Sequence, residues 1–197
     1  PARAAPASIA FVGDSMSDGL WGAFFRLTGN QHCSPAELAL IRDAKNGTGL
    51  ARLDHFDWPA ELDDLVGKSA PTLVFASIGL NDAQDLVMPD KSKFKLGSDD
   101  WVAQYKKNVT DFYDHAGAGG APVMILGLPN LRDAGAEKHA ELVNGIFEET
   151  AAANTAVKVT YVAPWRMTNG DGSFASFGPN LNGQTVQIRA PDGLHFT

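Results

Sequence analysis

The sequence predicts an α/β fold, a parallel sheet sandwiched between helices. Two observations lead there. Short, continuously apolar runs recur along the chain, as expected of parallel strands covered on both faces. Between them lie stretches whose apolar residues repeat every three or four positions, as on one face of a helix. Strands that alternate with helices close into a layered sandwich.

The elements follow in order. Pro1–Ala7 is rich in Pro and Ala and reads as the end of a linker, which leaves residues 8–197 as one domain. Ser8–Val12 is the first strand, and a helical pattern begins at about Asp18. Leu38–Arg42 and Thr72–Ile78 are the second and third strands. Ala83 to Asp100 is a polar, Lys-rich insertion. Trp101, Tyr105, Val109 and Phe112 then mark a helix, Pro122–Leu126 the fourth strand, Ala136, Ala140, Val143 and Phe147 a further helix, and Val157–Val162 the fifth strand. Met167 to Pro191, with Gly170, Gly172, Gly178 and Gly183, reads as an irregular loop or hairpin in which Gln184–Arg189 is a short strand. Loops this long in compact domains are usually functional or mobile.

Composition narrows the function. The chain has 197 residues, 44% apolar and 20% charged, enough for a sizeable core without disulfides. A net charge of −7 with no long basic run disfavours nucleic acid, whose binding needs Lys and Arg to neutralise phosphates. No apolar run is long enough to span a membrane. The single cysteine, Cys33, has no partner for an intrachain disulfide.

Chemistry concentrates at the two ends. Gly13-Asp14-Ser15 follows the first strand, and Asp192-Gly193-Leu194-His195 lies close to the last residue. A serine hydroxyl is a poor nucleophile until a base takes its proton, and imidazole changes charge near neutral pH. A carboxylate three residues before the histidine falls on the same side of a tight turn and can hold its other nitrogen. In open α/β sheets, ligands bind beyond the carboxyl ends of strands at the switch in strand order. With the order 2-1-3-4-5, Ser15 after strand one and Asn81 after strand three would meet there. Taken alone, Ser15 also reads as a helix N-cap, Asn81 as a turn residue and His195 as an exposed tail histidine. His115 falls at a helix end and His139 beside an apolar stripe. His55, in Asp54-His55-Phe56-Asp57, reads as the turn into a helix rather than a metal ligand.

Together these residues resemble the SGNH hydrolase superfamily, the GDSL-type esterases. The blocks that carry the resemblance are Gly13-Asp14-Ser15, Gly49 in Asn46-Gly47-Thr48-Gly49, Gly79-Leu80-Asn81-Asp82 and Asp192-Gly193-Leu194-His195. The Thr48-Gly49-Leu50 and Trp58-Pro59 stretches and the Asp192–Thr197 ending resemble a bacterial envelope-associated subset of unknown function. The resemblance implies a flavodoxin-like three-layer sandwich and a periplasmic or extracytoplasmic setting. It implies Ser15 as nucleophile, His195 as general base and then acid, and Asp192 as its orienting carboxylate. The oxyanion donors would be the backbone N–H groups of Ser15 and Gly49, with Gly47 as the alternative, and the Asn81 amide. No metal or organic cofactor is implied. The family pattern continues past the histidine into a helix, whereas this sequence ends two residues later: either the sequence stops early, or the base is weakly anchored.

The partner expected is a small-molecule or carbohydrate acyl ester. Asn130, Arg132, Trp165 and Arg189, with Phe174, Phe177, Asn180 and Asn182 nearby, offer amides, guanidinium groups and aromatic faces suited to a sugar; equally, Trp165, Phe174 and Phe177 can simply pack the loop onto the domain. With no broad apolar lid pattern, a short acyl group such as acetyl is favoured over a long chain. An O-acyltransferase shares the same acyl-enzyme and is the alternative. A non-catalytic glycan-binding module would be expected to lack a triad member, and none is missing.

Overall fold

The computed structural model describes residues 7–30, 37–164 and 166–197. Cys33 and Trp165 lie outside the described residues. The chain runs through β1 (Ala7–Gly13), α1 (Ser15–Asn30), β2 (Leu38–Ala44), α2 (Trp58–Ser69), β3 (Leu73–Ser77), β4 (Leu86–Val87), β5 (Lys93–Phe94), α3 (Asp99–Ala116), β6 (Val123–Leu126), α4 (Ala134–Ala153), β7 (Val159–Val162), β8 (Phe177–Pro179) and β9 (Thr185–Gln187). Five parallel strands form the central sheet in the order β2-β1-β3-β6-β7, so the first three expected strands and the last two fall in the sequence-predicted order.

Alternation along the strands divides the core. Ala10, Val12, Val74, Ala76, Val123 and Ile125 are buried in one cluster with Trp58 and Leu62 of α2, Trp101, Tyr105 and Phe112 of α3, and Val143 and Phe147 of α4. Phe11 and Phe75 point to the other face, where Phe24 of α1 packs at 5.2 and 6.1 Å between ring centres. The helices begin where side chains satisfy their free N–H groups. Asp57 accepts from Ala60, Ser98 from Trp101 and Asp133 from Ala136. His55 lies in the turn leading into α2, and His115 sits at the end of α3 with its Nδ1 2.7 Å from Asp63. Among the described residues no helix is long and apolar enough to cross a membrane.

One expectation is corrected. The first helix starts at Ser15 rather than near Asp18, because Asp14 caps it: its carboxylate accepts the Met16 N–H at 2.9 Å. The polar insertion after β3 has structure of its own. It forms the β4–β5 hairpin, buries Leu86, and bonds the Val87 N–H to the Ala51 carbonyl at 2.8 Å.

Two fully buried carboxylates tie the strand ends together. Asp14 accepts from Met16 and, across the sheet, from the Leu80 N–H at 3.0 Å. Asp82 accepts from Leu50 at 3.0 Å, Ala51 at 2.9 Å and the Tyr105 hydroxyl at 2.7 Å. Asp14 thus links the β1–α1 junction to the loop after β3, and Asp82 links that loop to the one after β2. Replacing Asp82 by alanine orphans three buried donors, each worth about 1–3 kcal/mol when left unpaired. Urea denaturation of Asp82→Ala should show a loss of at least about 3 kcal/mol by that reckoning, and a loss within experimental error would refute the role given to this carboxylate.

Candidate active site

The capping by Asp14 leaves Ser15 free. Its Oγ lies 2.7 Å from His195 Nε2, and His195 Nδ1 lies 2.8 Å from Asp192 Oδ2. The other oxygen of Asp192 accepts the backbone N–H groups of Leu194 and His195 at 2.8 and 3.1 Å, which fixes the carboxylate against the ring. The bond to His195, helped by these N–H groups, lowers the pKa of Asp192 to about 2. The three side chains that the sequence suggested for a triad therefore stand in one hydrogen-bonded line.

The expected donors sit in three segments. Ser15 starts α1, so its N–H is one of the groups that a helix leaves unpaired and that favour an anion. The Asn81 amide donates to the Thr48 carbonyl at 2.8 Å, which joins it to the Gly49 loop and leaves its second hydrogen free. Gly49 has to be glycine, because a Cβ there would run into the Asp82 carboxylate. Gly47, the alternative donor, has a φ of +80° in open space and makes no comparable close approach.

The far half of the line is held by arginines. Residues 188–197 fold back on themselves: Ala190 donates to the His195 carbonyl at 2.8 Å and Thr197 to the Ile188 carbonyl at 3.2 Å. Arg189 is buried at the root of this loop. It donates to the carbonyls of Asn130 and Leu194 at 2.7 Å each, and to that of His195 at 3.4 Å. The rings of Phe174 and Phe196 lie 4.9 and 4.8 Å from its guanidinium carbon. Arg132 donates to the Pro191 carbonyl at 2.7 Å and to Ser176 Oγ at 3.3 Å, and lies over Phe174. Gly193, at φ +75°, lets the loop press on Arg132, where a Cβ would come within 2.6 Å.

This placement removes Arg189 and Asn130 from the sugar-binding set. Arg189 is 1% exposed, with its donors turned to backbone carbonyls, and Asn130 is 4% exposed and bonded to the Met167 carbonyl. Arg132 spends its guanidinium on the same loop. Arginine among aromatics and amides reads as a ligand contact in sequence, yet here it braces the segment that carries Asp192 and His195. That bracing also replaces the weak anchoring expected of His195. Of the other residues suggested, Asn180 closes the β8–β9 turn by accepting from Asn182 and Gln184, and Phe177 is exposed on the hairpin. His139 is buried beside Trp101, and burial lowers its basicity.

A five-stranded parallel sheet in this order, flanked by four helices, is an α/β fold that matches that of SGNH hydrolases. Solved structures share it. TesA has a TM-score of 0.59 at 19% identity over 96% of this chain and 89% of its own. A carbohydrate esterase family 3 protein from Talaromyces cellulolyticus has a TM-score of 0.59 at 11% identity over 97% and 88%. An acetyl-xylooligosaccharide esterase, Axe2, from Geobacillus has a TM-score of 0.56 at 14% identity over 81% and 76%. The chain belongs to the family described as "Protein of unknown function (DUF459)", which matches residues 8–197. No curated protein matches it in sequence.

Two outcomes follow from the site's construction. Arg189→Met keeps the apolar stem but removes the carbonyl donors, so residues 188–197 should open more often. Hydrogen exchange at the Ala190 amide should quicken at least tenfold while the amides of β1 and β3 stay unchanged; equal rates in variant and wild type would contradict the bracing. The second outcome concerns pH. Burial, aided by repulsion from Asp82, raises Asp14 from 3.8 to about 7, against the pull of its N–H partners. Asp82 is raised by burial too. The native state then holds protons that the unfolded chain releases, so stability is lost as pH rises from about 4 to 7. The Asp14 part is bounded at roughly 4 kcal/mol. Urea midpoints should be higher at pH 5 than at pH 7.5, and Asp14→Asn should flatten the slope.

Proposed function

We propose that this protein is a serine hydrolase that cleaves carboxylic esters through an acyl-enzyme. The observation that carries the reading is the unbroken line from Ser15 Oγ through His195 to Asp192, at 2.7 and 2.8 Å. That solved proteins of the same fold are described as esterases supports it.

In this mechanism Ser15 Oγ attacks the ester carbonyl carbon while His195 Nε2 takes its proton. Asp192 holds the proton on Nδ1 and stabilises the imidazolium. The carbonyl oxygen becomes an oxyanion and is met by the N–H groups of Ser15 and Gly49 and the Asn81 amide, each typically worth roughly 10²–10³ in turnover. The tetrahedral intermediate collapses, the C–O bond to the alcohol breaks, and His195 returns the proton to the departing oxygen. Water then repeats the sequence on the acyl-Ser15 ester and releases the acid. Every proton transfer is carried by side chains of this chain.

Ser15→Ala removes the nucleophile without touching the Asp14 cap. Hydrolysis of p-nitrophenyl acetate should fall at least about 10³-fold, in line with triad deletions generally. A fluorophosphonate should label wild type at Ser15 and leave the variant unlabelled, with circular dichroism unchanged. Turnover or labelling retained by the variant would sink the mechanism.

A further inference from the structure

A groove of about 900 Å³ opens directly from Ser15 and His195. One wall is α1 from Ser15 to Arg26, three helical turns. The other is the β8–β9 hairpin and the last residues of the chain. Its surface is mainly apolar: Leu20 and Trp21 face Leu181, Val186, Ile188 and Phe196. An acetyl group would occupy a small corner of it, since sites of this size hold whole drug-sized ligands.

The helix is shaped to leave the space. Gly19, Gly22 and Ala23 line the groove, and a Cβ on Gly19 would have no atom within 4 Å. Two glycines weaken a helix interior, and no close packing partner accounts for Gly19 on its groove side. The rim is apolar where it meets water, with Leu181 92%, Phe196 43% and Val186 37% exposed. Folding has left this surface unburied, and a hydrocarbon chain would bury it.

A second cavity, about 330 Å³, lies against the Gly47–Gly49 loop and is lined also by Arg52, His55 and Gln84. The two cavities share no residue; one contains Ser15 and the other Gly49, the donors proposed for the same oxyanion.

We infer that the acyl half of the substrate is a medium- to long-chain hydrocarbon lying along α1 under the β8–β9 hairpin, with the alcohol half directed away from this groove. This rests on the esterase reading and reverses the expectation of an acetyl group.

The test compares p-nitrophenyl acetate, butanoate, octanoate and dodecanoate below their micellar concentrations. Each buried methylene can raise kcat/KM up to about fourfold, so octanoate should exceed acetate at least tenfold. Ala23→Phe fills the groove and Leu181→Asp charges its rim without entering the core. Either should cut the octanoate-to-acetate ratio at least fivefold, and Leu181→Asp keeps the test valid if Ala23→Phe fails to fold. Acetate turned over as well as octanoate, or a ratio unmoved by both variants, overturns the acyl groove while leaving the esterase standing. If no ester is cleaved and no fluorophosphonate labels Ser15, the esterase reading fails, and calorimetry with dodecanoate decides the groove alone. Saturable binding to wild type that Leu181→Asp weakens would support it, and no binding would overturn it.

Discussion

The site depends on placing acceptors where the backbone has donors to spare. Asp14 and Asp82 are buried carboxylates without a cationic partner in hydrogen-bonding reach; their lone pairs go to N–H groups of three loops and to one tyrosine hydroxyl. Desolvation opposes their charge. What results is a chain of fixed distances: the β1–α1 junction to Leu80, then Asp82 to Leu50 and Ala51. Ser15, Asn81 and Gly49 lie along that chain, one in each loop, so the three proposed oxyanion donors are set by the same two side chains.

The opposite half is built with the opposite charge. The side chains of His195 and Asp192 are 36% and 44% exposed and can gain little rigidity from burial. Their loop is organised instead by Arg189, a buried cation whose donors meet backbone carbonyls. Buried carboxyl oxygens collect N–H groups on one side of the reaction centre, and a buried cation collects C=O groups on the other. The nucleophile and its base meet where these two arrangements abut.

The sheet was legible because each strand carried its own signal, a short apolar run bounded by polar or turn residues. Strand order was a premise, the flavodoxin-like 2-1-3-4-5, and it put Ser15 and Asn81 at one edge of the sheet. The start of α1 was hidden: Gly19, Gly22 and the Ser15–Asp18 stretch dilute the apolar period, and only the Asp14 cap reveals the first turn. The chemical line of Ser15, Asp192 and His195 could be read from residue types and spacing. The roles of Arg132 and Arg189 could not, because a guanidinium that meets carbonyls and one that meets a ligand look alike in sequence. The groove was equally hidden. Its walls join the first helix to the last hairpin, and residues such as Leu20 and Leu181 gain meaning only as neighbours.

The missing side chain at Gly49 binds two distant positions into one heritable unit. An oxygen of Asp82 occupies the volume where a Cβ would stand. Any alanine at residue 49 displaces the carboxylate that holds the same loop, so a change there damages the structure twice. Shortening residue 82 would make room but release the loop. Neither position can drift alone, and among related chains glycine at the first should accompany aspartate at the second.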